Sequence, residues 1–315
     1  MDDCLSSAFD QDLPEDEYEV VYADNASTDG AAAYVRDNFP RVRIVQFDRN
    51  WGFAAGNNRA VLKTSGEWIV FLNQDTVCAR SWLRELLAAV ESSPEIMAGH
   101  ANVIHPWYTD FSGLASRAKS ANAYTPVLAR WGYLRYRNLG ELAVPVDVTI
   151  LSGAALALRR SAIQDLTYVF DEDFWAYAED WDLGFRLLSL GHRCVLAPRA
   201  TVYHLYTAKT GLKWANWIGT MRNLRNRYIA FYKVSTEREF AALGALLTMG
   251  SPWNAFEFGL KLHEKIFFAA VLVPTTVVAA GAAMVAIGRF SGKRREILSR
   301  RSGEARSILS RIWRG

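Results

Sequence analysis

Short apolar runs open the chain, and each stops at a polar cluster. Val20-Val21-Tyr22-Ala23 ends at Asp24, Val42-Arg43-Ile44-Val45-Gln46-Phe47 alternates, and Trp68-Ile69-Val70-Phe71-Leu72 is the most apolar of the three. Runs of this length bounded by turn residues predict strands, the third buried on both faces. Between them, Ala31 to Asn38 and Gly52 to Lys63 predict helices. Strand, helix, strand, helix, strand is the order of an α/β doubly wound sheet with helices on both faces. Ligands of such sheets bind beyond the carboxyl ends of the strands, so the loops after each run carry the interest. Beyond Pro94 the pattern weakens, and His105 to Pro145 is rich in aromatics, Arg and turn residues without a sustained period. Regular signals return with Val146 to Leu151, Ala154 to Arg159, a helix from Ala178 to Leu190 ended by Gly191, and the strand Arg193 to Leu196.

Near the C-terminus, Ile266 to Gly288 carries no charge over 23 positions, long enough to cross a bilayer core of about 30 Å. The run Phe240 to Leu260 is also mostly apolar, with Glu257 its only charge. Nine Lys and Arg against two Glu follow between Arg289 and Gly315, with Ile297, Leu298, Ile308, Leu309, Ile312 and Trp313 interspersed. A hairpin or interfacial anchor returns that basic tail to the side it started from, where anionic headgroups attract it. A buried helical layer and a solvated tail are the plainer alternatives.

Composition narrows the class. With 315 residues and 50% hydrophobic, the chain buries one large α/β core plus an appendage. A net charge of +3, concentrated in the tail, argues against nucleic acid as partner. Three widely spaced cysteines, Cys4, Cys78 and Cys194, fit neither a disulfide framework nor a zinc site. Met1-Asp2-Asp3 is acidic where a secretory signal is basic.

Three loops carry candidate chemistry. In Asp24-Asn25-Ala26-Ser27-Thr28-Asp29-Gly30, Asp24 can accept hydrogen bonds from a ribose or base edge, while Ser27 and Asp29 suit a helix cap. In Leu72-Asn73-Gln74-Asp75-Thr76, a carboxylate at the end of the central strand can hold a divalent metal that also grips phosphate oxygens. His204, after the strand-like Ala200 to Tyr203, is a candidate partner for it, although an interior histidine explains it as well. The third cluster runs from Phe174 through Trp175 to Glu179-Asp180-Trp181-Asp182. Helix capping accounts for one or two of its carboxylates, whereas one among apolar walls suits general-base duty on an alcohol.

Five ordered landmarks resemble the inverting family 2 glycosyltransferases of the GT-A fold, especially their bacterial rhamnosyltransferase-like branch. They are Asp24 to Gly30, Asn50-Trp51-Gly52-Phe53-Ala54-Ala55-Gly56-Asn57-Asn58, Leu72 to Thr76, Ser152-Gly153-Ala154, and Glu179 to Leu183 with Arg186. The resemblance covers residues 1–232 and implies a GT-A-type mixed sheet; it leaves the rest of the chain unexplained, where the apolar and charge patterns alone predict a helical membrane-associated hairpin or interfacial segment over 233–290 and a basic tail over 291–315. It further implies donor binding by Asp24, Asn25, Gly56, Asn57, Asn58 and Asn73, an acceptor side at Ser152, Gly153 and Trp175 shaped by the excursion after His105, and a divalent metal (Mg or Mn) at Asp75 and His204. Asp180 matches the catalytic base, with Glu179 and Asp182 as supporting acids. The implied partners are a nucleotide-sugar donor, a lipid-linked or glycan acceptor, and the cytoplasmic face of a cell membrane. Rhamnose from a dTDP donor, galactofuranose and N-acetylhexosamine are all compatible transfers, and a silent sugar-nucleotide-binding scaffold is the alternative of another class.

Two departures stand out. Asn73 replaces the leading Asp of the family's metal motif, which removes one negative charge and lowers the expected metal affinity. Met1 to Gln11 resembles the helix that follows the family's first strand, so the expectation is a domain without that strand and with sheet backbone exposed.

Overall fold

The computed structural model describes residues 1–104, 124–128, 134–140, 142–204, 214–242 and 262–302. It begins with helix α1 (Asp2–Phe9), then β1 (Val21–Asp24), α2 (Ala31–Asn38), β2 (Arg43–Gln46), α3 (Gly52–Val61), β3 (Trp68–Leu72) and β4 (Thr76–Cys78). Next come α4 (Trp82–Val90), β5 (Ile96–Ile104), β6 (Tyr124–Leu128), β7 (Leu134–Asn138), β8 (Val146–Asp147) and β9 (Ala155–Arg159). The short α5 (Ala162–Asp165) and a 3-10 turn (Glu172–Phe174) lead into α6 (Glu179–Ser189), β10 (Arg193–His204), α7 (Trp214–Val234) and α8 (Leu262–Ser299). The α/β architecture expected from the sequence is present, with a mixed sheet flanked by helices.

The main sheet has the order β3-β9-β5-β10-β4, with β8 added beside β10. Strands β5 and β10 run parallel, and β9 is antiparallel to both β3 and β5. The sheet is not continuous through the first strands, as strict double winding requires. Strands β1 and β2 pair in parallel as a separate ribbon, and no hydrogen-bonded ladder joins β1 to β3 among the described residues. The run Val146 to Leu151 is also shorter as a strand than its apolar pattern predicts, since the ladder with β10 takes only Val146 and Asp147. Most of the excursion from His105 to Pro145 lies outside the described residues; within it, β6 and β7 pair as an antiparallel ribbon.

Two apolar layers sandwich the main sheet. One packs α4 through Trp82, Leu83, Leu86 and Val90 onto Ile96, Val195 and Val202. The other seats Leu183 and Leu187 of α6 on Ile69, Leu156 and Leu196. The opposite face of α6 presents Trp181 and Phe185 to Ile229 and Phe231 of α7, and Ala283 and Phe290 of α8 close this third layer. Helix α6 is thus enclosed on both sides, and Asp180 is the one residue along it that is not fully buried.

Helix α8 continues through Pro274 for 38 residues, about 57 Å at 1.5 Å per residue. Thr275, Thr276, Ala279, Ala283 and Phe290 are buried, a helical repeat that marks its inner face. Val273, Val277, Val278, Met284 and Val285 are exposed on its outer face. The apolar stretch is therefore neither a fully buried layer nor a helix standing clear of the domain. Its would-be hairpin partner over 243–261 and the tail from 303 onward lie outside the described residues.

Candidate active site

Strand β1 delivers Asp24 to its carboxyl end, where the side chain is buried. Oδ1 accepts the Ser27 amide at 3.1 Å, and Oδ2 has no partner among the described residues. Such an oxygen is unfavourable unless something donates to it, which makes Asp24 a candidate for a ligand's donor. Asp29 accepts the Ala31 amide at 3.1 Å, as a capping residue does at the start of α2. Asn25 uses both ends of its amide on the loop before α3, accepting from Trp51 N at 2.8 Å and donating to the Gly52 carbonyl at 2.9 Å. Gly56 packs against that amide, where an added Cβ would come within 3.1 Å of Asn25 Nδ2. Asn57 donates to Phe53 O at 2.9 Å, and Asn58 exchanges two bonds with the backbone of Phe170 at 2.8 and 2.9 Å. Asn25 and Asn58 therefore shape the loop, whereas Asp24 keeps one buried oxygen without a partner among the described residues.

The second centre forms where β3 and β10 end. Antiparallel pairing sets His204 opposite Thr76, beside Asp75, although 129 residues separate Asp75 from His204. His204 Nε2 lies 3.0 Å from Asp75 Oδ1 and 3.4 Å from Asn73 Nδ2. The Asp75 side chain is 28% exposed, so the pair can be reached from outside. A carboxylate, an imidazole and an amide converging on one accessible point fit a divalent ion that also takes phosphate oxygens. Among the described residues no third His, Cys, Asp or Glu joins them.

Asp180 comes to the same edge of the sheet. Its Oδ2 accepts the Gly153 amide at 2.7 Å and its Oδ1 the Trp181 amide at 2.9 Å. The next carbonyl, of Ala154, accepts the Asn73 amide at 3.0 Å, so the half-buried Ser152, Gly153 and Ala154 form a bridge from Asp180 to the Asn73-Asp75 loop. A Cβ added at Gly153 would meet Asp180 Oδ2 at 3.3 Å, so a side chain there presses on the carboxylate. Burial raises the pKa of Asp180, opposed by the amides of Gly153 and Trp181. Glu179 is buried beside it and pushed up to about 8, by burial first and then by the charge of Asp180. Nearby backbone amides, including that of Tyr177, work against that rise.

The segment before Asp180 is unusual. Trp175, Tyr177 and Ala178 have φ of 63°, 74° and 61°, none of them glycine. Residues held in such sparsely populated backbone regions cluster at functional sites. The turn leaves Trp175 and Tyr177 each 43% exposed at the mouth of the site. Gly52, at φ 75°, lies under the Trp175 ring, where a Cβ would come within 2.6 Å of Cδ2, and the Ala54 amide donates to Trp175 O at 3.0 Å. The strained turn thus leans on the loop that Asn25 clamps.

Behind α6 the chemistry changes. Asp182 is fully buried, 2.8 Å from Arg186 and 2.6 Å from Lys233. Lys233, itself fully buried on α7, also meets Asp171 at 2.7 Å. Lys293 of α8 joins Asp171 at 2.6 Å to Asp173 at 2.8 Å. Burial works against the Asp171 carboxylate, but the two lysines more than offset it and hold it at about 2. Asp182, a supporting acid by resemblance, is in this structure a fixed counter-ion. Lys233 and Asn226 were invisible to motif reading, because nothing local marks a lone Asn or Lys on a helix as buried.

The profile of glycosyl transferase family 2 matches residues 1–167. An N-acetylglucosaminyl-diphospho-decaprenol L-rhamnosyltransferase of Mycobacterium tuberculosis (strain ATCC 25618 / H37Rv) is 30% identical over 219 residues, covering 61% of this chain and 68% of that protein. Among solved structures, a mannosyltransferase from Pyrobaculum calidifontis in complex with GDP-Man and Mn2+ superposes with a TM-score of 0.53 at 18% identity, over 95% of this chain and 81% of that one. TarS from S. aureus in complex with UDP gives 0.51 at 17% identity, over 95% and 84%.

Proposed function

The chain belongs to glycosyl transferase family 2 and is a glycosyltransferase, and on that premise we propose that it moves a sugar from a nucleotide-sugar donor to a lipid-linked or polysaccharide acceptor with inversion, Asp180 acting as general base. One observation carries this reading. Asp180 is the accessible carboxylate of an otherwise buried helix, fixed by the Gly153 amide on the same loop that contacts Asn73. In the step, the acceptor hydroxyl gives its proton to Asp180 while its oxygen bonds to the anomeric carbon from the side opposite the nucleotide. The bond from that carbon to the diphosphate breaks in the same displacement, which inverts the centre. Asp24 offers its buried oxygen to the nucleotide, Asn73 flanks the donor's phosphates, and Trp175 offers a ring to the acceptor. Asp75 and His204 would hold a divalent ion, whose chemistry is to neutralise charge on the departing diphosphate.

The mycobacterial relative is by name a rhamnosyltransferase acting on a diphospho-decaprenol-linked sugar, which supports a rhamnosyl donor and a polyprenyl-linked acceptor here. The outer face of α8 supports the location. The most apolar 18-residue window of Val273–Ser299 has a mean hydropathy of 1.5 and is 28% buried, and the exposed Arg289 and Arg295 lie beyond its valines. We read it as an interfacial helix at the cytoplasmic side, where nucleotide sugars are made, laying its valines into lipid and its arginines on headgroups.

The test is Asp180→Asn, assayed with a panel of nucleotide sugars including dTDP-rhamnose and with a polyprenyl-diphosphate-linked acceptor. Turnover is expected to fall by about 10²- to 10⁴-fold with the donor still bound. Near-wild-type turnover removes Asp180 from the role.

A further inference from the structure

Three residues out of four in the turn before Asp180 hold positive φ, and no glycine or asparagine among them makes this conformation easy. The surroundings must impose it. The Ala54 amide binds Trp175 O. The remaining carbonyls converge on one side chain. Asn226 of α7, fully buried, aims Nδ2 at Phe174 O, Ala176 O and Tyr177 O at 3.1, 3.0 and 2.9 Å. Its Oδ1 has no partner among the described residues, so the side chain acts purely as a donor.

We infer that Asn226 is a positioning residue for the base: by gathering three carbonyls of the 174–178 turn, it fixes the direction from which Asp180 enters the site. This rests on the reading of Asp180 as base. The helix that carries Asn226 is well placed for the task. Seven residues further on, on the same face, Lys233 holds Asp171 and Asp182. Helix α7 therefore grips the chain just before Asp180 with a neutral donor and just after it with a cation. At the other end of the turn, Gly219 of α7 sits where a Cβ would come within 3.3 Å of the Tyr177 hydroxyl, so the contact is continuous. The packing of Phe174 and Trp181 on α7 holds the helices together, but apolar contacts do not choose among backbone conformations of the turn. Donors to its carbonyls do.

Asn226→Asp is the nearest test, because it keeps the size and, when ionised, cannot donate. In the full chain, kcat is expected to fall about 10- to 100-fold, the scale of a small misplacement of a catalytic group. KM for the nucleotide sugar should stay put, and the acid limb of the kcat profile should move. A purely structural Asn226 would lower the folded fraction and leave that limb where it is. Ala178→Gly supplies the second reading, since glycine adopts φ 61° freely. Added to Asn226→Asp it should restore about fivefold of the lost kcat. If Asn226→Asp does not fold, Asn226→Ser with and without Ala178→Gly is compared in the same way. A folded Asn226→Asp enzyme with wild-type kcat and pH profile, or no recovery on adding Ala178→Gly, overturns the inference. An active Asp180→Asn enzyme would instead overturn the base itself, so the two failures are distinguishable.

Discussion

Asp180 and Asp182 stand two residues apart on one helix, yet they belong to opposite kinds of environment. In front of α6, the amides of Gly153 and Trp181 hold Asp180, and burial raises its pKa and that of Glu179 beside it, with backbone amides opposing in both cases. Behind it, Asp171, Asp173 and Asp182 are held by Lys233, Lys293, Arg186 and Arg289. Of these carboxylates Asp171, matched by the buried Lys233 and by Lys293, has its pKa pulled down to about 2 and stays charged. A carboxylate solvated only by amides can give up its charge at moderate pH. The same residue type is thus made inert or reactive by what faces it, and the alternation follows from helix geometry, which turns neighbours two apart about 200° from each other.

The largest expected effect tests that division directly. Asp182→Asn leaves Lys233 and Arg186 buried with one counter-charge fewer, and breaking a buried pair in this way costs about 3–5 kcal/mol. The melting temperature should drop by many degrees, while the protein that remains folded keeps its pH profile. Asp180→Asn should do the reverse, losing turnover with the melting temperature nearly unchanged. Thermal unfolding and turnover measured on both variants decide it, and equal loss of stability in the two would erase the distinction.

A smaller effect concerns the donor end. There a carboxylate and a histidine meet across the β3 and β10 ends, with Asn73 where the family has an acid. Asn73→Asp restores a second negative charge beside His204, and Mn2+ affinity measured by calorimetry should rise roughly tenfold, since charge count tunes such sites. Without metal the added repulsion should lower stability slightly. An unchanged affinity would mean that the Asp75 and His204 pair is not where the ion sits.

How much of this was readable in advance differs between the two regions for a physical reason. Strand β3 spans Trp68–Leu72 and helix α2 Ala31–Asn38, as their patterns predict, and α6 starts one residue later and stops one earlier than its pattern suggests. These elements are specified locally, by apolar runs and the turns that end them. Asp75 and His204 could be paired from their places after strands. Strand β5 escaped because His100 and Asn102 interrupt its apolar run; both are buried, and burial pushes the His100 pKa down to about 4, so it sits in the core uncharged. Asn226 escaped because its three partners lie 49 to 52 residues earlier, and Arg222-Asn223-Leu224-Arg225-Asn226-Arg227 reads as a solvated face. Polar residues whose partners are distant leave no periodic trace. The break between the β1-β2 ribbon and the main sheet is of the same kind, a matter of which strands meet rather than which segments are strands.

Glu179 gives the finest test of the pair in front of α6. Its pKa in the folded protein, about 8, stands above the ordinary 4.5, so the folded state binds the proton more tightly than the unfolded chain does. The resulting stability is fully present below about pH 4.5 and is lost as pH rises through about 8. Activity runs the other way, because Asp180 must be deprotonated to act and loses function as pH falls through its raised pKa. Glu179→Gln keeps the size of the side chain and removes the titration. The variant should match the wild type in melting temperature near pH 5 and exceed it by about 2–4 °C at pH 8.5. Because Asp180 is already charged when Glu179 titrates, Glu179 is neutral across the acid limb of kcat, and that limb should stay where it is. A melting-temperature difference that is the same at pH 5 and pH 8.5 would show that Glu179 is already ionised in the folded protein, and the contrast between the two faces of α6 would then lie in accessibility alone.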